Sequence, residues 1–126
     1  MKKINTKHAP AAVGAYSQAV FANDTLYVSG QIPFKPETME LISEDVKEQT
    51  RQCLDNMLAI VEEAGLTKED IVRCGVFMTN LADFAEMNEI YGAFFGDHKP
   101  ARAAVEVRRL PKDVQVEIDC IAVKQK

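Results

Sequence analysis

The chain has 126 residues, of which 47% are hydrophobic, and 19 acidic residues against 15 basic ones give a net charge of −4. This length suits one domain spanning residues 1–126, whose core needs neither disulfides nor a structural metal. The negative charge excludes a broad positive field for nucleic acid or anionic lipid, and the sequence has no run of about 18 apolar residues that could form a membrane helix. The sequence therefore predicts a soluble cytoplasmic protein.

The first predicted element is a β-hairpin near the N-terminus. The segments 17–22 and 25–31 are rich in strand-forming residues. Asn23 and Asp24 between them tolerate the positive φ angles that a tight hairpin turn requires. A loop is expected to follow the second strand.

A long amphipathic helix comes next. Apolar residues recur at helical spacing from Val46 to Ala64, and Gly65 can adopt the left-handed conformation that ends a helix. Ser43 is expected to cap its first turn. The segment 71–79 then has the composition of a strand.

A second helix is predicted after this strand. Asp83, with Glu86 three residues later, resembles a capping box, and an apolar face runs from Met87 to Phe95. Gly96 is expected to end this helix.

The C-terminal end is predicted to form two strands, 103–107 and 114–123, joined through residues 110–113. Pairing these strands about that turn would place Glu106 roughly opposite Glu117. The order strand, strand, helix, strand, helix, strand, strand predicts an α+β fold with two helices on one face of a mixed sheet. The other face of the last strand mixes apolar and polar residues, which indicates packing against further subunits.

The cysteines and histidines carry no recognisable reactive motif. Cys53, Cys74 and Cys120 are odd in number and far apart, which argues against a disulfide framework and predicts buried free thiols. His8 and His98 lack the spacing of a zinc site or of a nucleophile motif, so no metal is expected.

Two charged residues stand out near the C-terminus. Arg102 lies among small residues, where its guanidinium could hold a carboxylate through two parallel hydrogen bonds, although an ion pair with a glutamate is the more common use of such an arginine. Glu117 lies in the middle of a strand. On a solvent face it would be a surface carboxylate, whereas at an interface desolvation would raise its pKa and make it a candidate acid or base.

Two segments at predicted strand ends offer further polar groups. Tyr16 can present a hydroxyl and a ring wall to a small ligand, and Ser29 with Gly30 can present a hydroxyl and a backbone N–H. The alternatives are a tyrosine at the edge of the core and a simple turn glycine.

Several segments, taken together in order, resemble one family. They are Gly14-Ala15-Tyr16-Ser17-Gln18-Ala19, Ser29-Gly30-Gln31-Ile32-Pro33, Leu54-Asp55-Asn56, Asn88, Pro100-Ala101-Arg102, Arg109-Leu110-Pro111-Lys112-Asp113-Val114 and Val116-Glu117-Ile118. This combination is similar to the RidA (YjgF) family of reactive-intermediate deaminases. The resemblance implies a chorismate-mutase-like fold and a homotrimer with ligand pockets at its subunit interfaces. It also implies hydrolysis of 2-imino acids, such as 2-iminobutanoate and 2-iminopropanoate, or of their enamine tautomers, to 2-keto acids and ammonia without a cofactor.

The same resemblance implies roles for individual residues. Arg102 would bind the substrate carboxylate, and Glu117 would orient and activate the attacking water. The pocket would be lined by Tyr16, Ser29, Gly30 and Asn88.

The sequence departs from the family pattern at two places. Ala104 stands where many members have a cysteine, and the loop between Gly96 and Pro100 is short and lacks an aromatic residue. The first departure removes any role of that thiol. The short loop could widen the pocket or change which side chains fit, while Arg102 and Glu117 stay in place.

The sequence leaves two other functions open. A sensor or holdase could use the same pocket to bind a small carboxylate without turnover. An RNA-cleaving or translation-inhibiting protein is less expected, because Arg108, Arg109 and Lys112 make only a small basic group and the sequence has no aromatic-basic RNA motif.

Overall fold

The computed structural model describes residues 1–125, in which six strands form a mixed sheet and two helices pack on it. The elements are β1 (Lys2–Ile4), β2 (Ala19–Ala22), β3 (Thr25–Gln31), α1 (Val46–Glu63), β4 (Ile71–Met78), α2 (Phe84–Phe95), β5 (Ala101–Glu106) and β6 (Val116–Val123). The spatial order of the strands is β1-β2-β3-β6-β4-β5, and every neighbouring pair is antiparallel except β4 and β5. The predicted α+β class and mixed sheet are confirmed. Neither helix has the length and apolar character that a bilayer span would need within the described residues.

The central strand β6 defines the two faces of the sheet. Its alternate residues are buried beneath the helices: Val116, Ile118, Cys120 and Ala122. The residues between them, including Glu117, are half-buried on the opposite side, which we call the open face. This alternation confirms the predicted sidedness of the last strand.

The predicted hairpin turn is confirmed, whereas β1 was not predicted. Asn23 and Asp24 have φ angles of 49° and 63°, which are the positive values that a two-residue turn requires. β1 pairs with β2 and has only three residues, too few for a recognisable alternation.

Both helices exist, and Asp83 is the N-cap residue of α2 as predicted, but neither of the predicted side-chain caps forms. The side chain of Asp45, rather than that of Ser43, accepts a hydrogen bond from the first turn of α1, at 3.0 Å from the Glu48 nitrogen. Asp83 makes no side-chain cap hydrogen bond, so the capping box with Glu86 is absent. The predicted ends of the helices are better placed, since Gly65 and Gly96 follow them with positive φ.

The predicted pairing of the last two strands is also wrong. β5 pairs in parallel with β4, and β4 separates it from β6. β4, α2 and β5 form a strand-helix-strand unit, whose second strand returns beside the first in parallel. Glu106 is therefore not opposite Glu117, and its carboxylate instead accepts a hydrogen bond from the Leu81 nitrogen at 2.8 Å.

Candidate active site

All six predicted site residues line one of two cavities. The Glu117 cavity has a volume of about 770 Å³ and contains Tyr16, Ser29, Gly30 and Glu117. The Arg102 cavity has a volume of about 430 Å³ and contains Asn88 and Arg102. Both volumes fall within the range of about 300–1,000 Å³ that small-molecule sites occupy.

An irregularity at the end of β3 shapes the Glu117 cavity. Two residues of β3, Ser29 and Gly30, lie opposite the single residue Asp119 of β6, which is the arrangement of a β-bulge. The Ser29 hydroxyl donates a hydrogen bond to the Ser17 carbonyl at 2.6 Å, so it ties the bulge to the segment that carries Tyr16. The bulge therefore presents the Gly30 backbone to the cavity.

Gly30 allows the Glu117 carboxylate to lie directly against the backbone of β3. A Cβ atom at Gly30 would overlap Glu117 Oε2 and come within 2.9 Å of Glu117 Cδ. Because real Cβ atoms do not approach other atoms this closely, a larger residue at this position would displace the carboxylate. The absence of a side chain is what Gly30 contributes to the site.

Glu117 is a half-buried carboxylate on the open face. Burial raises the pKa of Glu117 above its usual value, and the negative charge of Asp119 raises it further. Burial also raises the pKa of Asp119, against the opposing effects of the Gly75 N–H, which donates to Oδ1 at 3.0 Å, and of Arg73. Within residues 1–125 no cation forms an ion pair with Glu117. Its oxygens are therefore free to accept a hydrogen bond from a ligand or water.

The outer wall of the Glu117 cavity comes from the N-terminal segment. The buried side chain of Gln18 accepts a hydrogen bond from the Thr6 nitrogen at 2.7 Å and donates to the carbonyls of Thr6 and Pro10 at 3.0 and 2.9 Å. These bonds hold the segment against β2. The Tyr16 ring, which is 53% exposed, lies at the mouth of the cavity.

Sequence reasoning missed several residues of this cavity. Its apolar walls include Pro10, Val13, Ile32, Phe34 and Met39. Lys112 also lines it, in a turn where Lys112 and Asp113 both have positive φ angles. The family resemblance includes the segment that contains Lys112, so this part of the cavity could be found from the sequence. The residues of the apolar walls lie in loops with no regular sequence pattern, so they could not.

Helix α2 holds Arg102 on the other side of the sheet. Arg102 Nη1 donates a hydrogen bond to Asn88 Oδ1 at 2.7 Å. The guanidinium carbon lies 4.8 Å from the Tyr91 ring centroid and 5.4 Å from that of Phe84. Phe84, Asn88 and Tyr91 have the i, i+4, i+7 spacing of one helix stripe. The ion pair with a glutamate that the sequence favoured does not form in residues 1–125.

Arg102 and Glu117 lie on opposite faces of the sheet in one chain. Arg102 is paired with Cys74, which is buried on the helix side, whereas Glu117 is paired with Phe77 on the open face. The intervening strand β4 also separates their strands by about 10 Å, since neighbouring strands lie about 4.8 Å apart. One small ligand cannot contact both groups of the same chain.

The three cysteines are buried and free, as predicted. Burial raises the pKa of Cys74 to about 11, and it raises the pKa values of Cys53 and Cys120 well above their ordinary range. These thiols therefore stay protonated near neutral pH and are poor nucleophiles. In the described part of the chain, no three His, Cys, Asp or Glu side chains are placed to hold a metal ion.

Comparison with known proteins places this geometry in a family. Residues 6–124 match the family described as Endoribonuclease L-PSP. The 2-iminobutanoate/2-iminopropanoate deaminase of Escherichia coli K12 is 52% identical to this chain over 127 residues, which cover 98% of each chain.

Solved structures show the same fold. The crystal structure of the Escherichia coli YjgF gene product has a TM-score of 0.95 and 52% identity, over 99% of this chain and 100% of that one. Escherichia coli TdcF with bound serine has a TM-score of 0.95 and 47% identity, over 99% and 100% of the two chains. The fold is therefore the chorismate-mutase-like α+β fold that the sequence resemblance implied.

Proposed function

Because the chain belongs to the Endoribonuclease L-PSP (YjgF/RidA) family, we propose that it hydrolyses 2-imino acids, or their enamine tautomers, to 2-keto acids and ammonia. The substrates 2-iminobutanoate and 2-iminopropanoate, after which the Escherichia coli relative is named, are the first candidates. The observation that carries the proposal is the half-buried, unpaired carboxylate of Glu117 in a cavity large enough for such a substrate.

The proposed reaction needs positioning and one proton acceptor. A protonated imine is already electrophilic at C2, so water adds without a strong nucleophile. Glu117 accepts a proton from the water as its oxygen bonds to C2, which gives a carbinolamine. Return of that proton to the nitrogen makes ammonia the leaving group. As the C–N bond breaks, the hydroxyl proton passes to the Glu117 carboxylate and the C=O bond forms, which leaves the 2-keto acid. The raised pKa of Glu117 makes its carboxylate a stronger base for the first step.

The proposed site is shared between copies of the chain. Arg102 of one copy would bind the substrate carboxylate while Glu117 of the next copy activates water, because the two groups of one chain lie on opposite faces of the sheet. The open face supports this arrangement, since Tyr27 and Val105 expose 52% and 43% of their surface there. An interface that joins two different patches forms a ring when the rotation between copies closes, and the family resemblance implies a ring of three.

We expect the protein to accelerate 2-ketobutyrate release when it is added to a threonine dehydratase reaction that contains semicarbazide. Threonine dehydratase releases the enamine of 2-iminobutanoate, which either hydrolyses or is trapped by semicarbazide. An active deaminase raises the yield of free keto acid and lowers that of the trapped product. A rate equal to uncatalysed hydrolysis contradicts the proposal. If calorimetry also showed stoichiometric binding of 2-ketobutyrate, that result would instead support a carboxylate sensor.

Gly30→Ala is expected to lower kcat/KM by about 10–100-fold, because misplacing a catalytic group by about 1 Å costs up to about 100-fold. The new methyl group occupies the position of Glu117 Oε2 and forces the carboxylate away from β3. The backbone at Gly30 has no positive φ, so alanine fits the main chain and the protein should still fold. The semicarbazide assay and a thermal unfolding curve measure the two effects separately.

Gly75→Ala is a matched control for this variant. A Cβ atom at Gly75 would crowd Asp119 Oδ1 at 2.5 Å, so this variant displaces the neighbouring carboxylate and leaves Glu117 in place. We expect a smaller loss of kcat/KM than for Gly30→Ala. Equal losses in both variants would mean that general crowding of the open face, rather than the position of Glu117, controls activity.

The ribonuclease alternative has less support in the structure. Of the three basic residues Arg108, Arg109 and Lys112, Arg109 already forms an ion pair with Asp113, with nitrogen–oxygen distances of 2.7 and 3.4 Å. This pairing leaves Arg108 and Lys112 as the cations available to a phosphate backbone in this turn. Two exposed cations in an acidic chain make a weak electrostatic footprint for RNA.

A further inference from the structure

The Arg102 cavity is positively charged although the chain as a whole is acidic. Its lining residues are Asn88, Tyr91, Gly92, Phe95, Gly96, His98, Lys99, Pro100 and Arg102. Two of these, Lys99 and Arg102, are permanent cations, and none is Asp or Glu. In a chain with a net charge of −4, a cavity with two cations and no acid favours an anionic ligand.

Both cations keep free hydrogen-bond donors. Arg102 donates to the Asn88 side-chain oxygen, and Lys99 Nζ donates to the Gly96 carbonyl at 3.2 Å. Neither forms an ion pair within residues 1–125. An ammonium has three donors and a guanidinium has five, so most donors of both groups remain for a ligand. The bond from Lys99 also offsets the negative end of α2, which would otherwise repel an anion.

The short loop between α2 and β5 places Lys99 beside this cavity. The chain turns at Gly96, which has a φ angle of 63°. His98 then anchors the loop, because its Nε2–H donates to the Ile71 carbonyl at 2.7 Å and its ring lies 6.0 Å from that of Phe95. Since His98 is fixed on one side and Pro100 leads into β5 on the other, Lys99 is held at the cavity.

We propose that the Arg102 cavity binds the two carboxylates of a dicarboxylic 2-imino acid, so that imines of acidic amino acids are substrates of this protein. Arg102 holds the carboxylate next to the imine carbon, and Lys99 holds the carboxylate at the end of the side chain. This inference rests on the proposed function and specifies its substrate class. A dianion matches the two cations, whereas a monocarboxylic imine leaves Lys99 without an anionic partner.

The test compares two keto-acid products and two imines on the assembled protein. Calorimetry measures the binding of 2-oxopentanedioate, a dicarboxylate, and of 2-oxobutanoate, a monocarboxylate. The corresponding imines are generated in place by amino-acid oxidases, and their hydrolysis is followed with semicarbazide. Lys99→Gln is the diagnostic variant, and Lys124→Gln, at an exposed position near the C-terminus, is its matched control.

We expect the unmodified protein to bind the dicarboxylate more tightly. Lys99→Gln should weaken this binding by about tenfold, which corresponds to about 1.4 kcal/mol, and should change 2-oxobutanoate binding by less than about twofold. Lys99→Arg, which keeps the charge, should restore most of the difference. The kcat/KM values for the two imines should follow the same pattern, and Lys124→Gln should resemble the unmodified protein.

Two results would overturn the inference. One is equal affinity of the unmodified protein for the two keto acids, and the other is an equal loss for both keto acids in Lys99→Gln. Failure of the proposed function would give a different result. No imine would be hydrolysed, but the protein would still bind the dicarboxylate more tightly than the monocarboxylate, and this preference would still depend on Lys99. That result would support the anion site and reject the deaminase activity.

Discussion

Arg102→Gln is expected to lower kcat/KM for 2-iminobutanoate hydrolysis by about 10²–10³-fold, because the variant loses the proposed charge-assisted hydrogen bonds to the substrate carboxylate. Glutamine keeps a polar side chain but has neither the positive charge nor the two parallel N–H groups of the guanidinium. The loss should be largest in KM if the carboxylate contact is equally strong in the ground state and in the transition state. The semicarbazide assay at several substrate concentrations separates the two constants.

Arg108→Gln is the matched control for this variant, since Arg108 is exposed and lines neither cavity. It should retain the kcat/KM of the unmodified protein. Arg102 is itself exposed on the edge strand β5, so its replacement should cost less than about 1 kcal/mol of unfolding free energy. Full activity of a folded Arg102→Gln protein would exclude Arg102 from carboxylate binding.

Glu117→Gln is expected to lower kcat by about 10²–10⁴-fold, which is the usual contribution of a positioned general base. Glutamine has nearly the same shape as glutamate and should fit in the space above Gly30. The folded protein should not lose stability at neutral pH. The pKa of Glu117 is raised in the folded state, so ionisation of this carboxyl favours the unfolded chain once the pH exceeds its unfolded pKa. The variant removes that effect.

The pH dependence provides a second readout for Glu117. The proposed reaction requires the ionised carboxylate, so kcat/KM should fall as the pH is lowered through the pKa of Glu117. Because burial and Asp119 raise this pKa, the fall should occur at a higher pH than for an ordinary glutamate, whose pKa is about 4.3. Glu117→Gln should lack this acidic limb after the uncatalysed rate is subtracted at each pH. An unchanged limb in the variant would assign the titration to another group.

Mixing the two inactive variants tests whether the site is shared. A chain with Glu117→Gln still supplies Arg102, and a chain with Arg102→Gln still supplies Glu117. In the proposed trimers, assembled at random from equal amounts of both, about one interface in four combines the two intact residues. Co-refolding should therefore restore about a quarter of the unmodified activity. No recovery in properly assembled mixed trimers would contradict a site that combines Arg102 of one copy with Glu117 of the next.

The sequence was sufficient to predict the elements with strong local signals. The apolar stripe from Val46 to Ala64 and the Asn23-Asp24 turn are local patterns, and both appear as expected. The pairing of β5 was wrong because strand order depends on how a whole strand-helix-strand unit packs, which adjacent residues do not encode. The three-residue strand β1 was too short to show any alternation.

The candidate site was predictable only in part. The ordered motifs identified Arg102 and Glu117 as candidates, and alternation placed Glu117 on the face away from the core. That Arg102 lies on the opposite face follows from its pairing with Cys74, which required the strand order. The close approach of Gly30 to Glu117 depends on a bulge between two distant strands. The charge of the Arg102 cavity was equally unpredictable, because its lining residues come from a helix, a loop and a strand whose packing the sequence does not show.

The placement of Arg102 and Glu117 on opposite faces has a genetic consequence in the proposed assembly. A chain that carries both defects inactivates two sites. It does not supply Arg102 to the site shared with one neighbour, and it does not supply Glu117 to the site shared with the other. When such a chain is expressed in equal amount with the unmodified one, half of the chains are unmodified. Only about a quarter of the interfaces then lie between two unmodified chains. The doubly defective allele is therefore dominant-negative, whereas two alleles that each carry one defect partly complement each other.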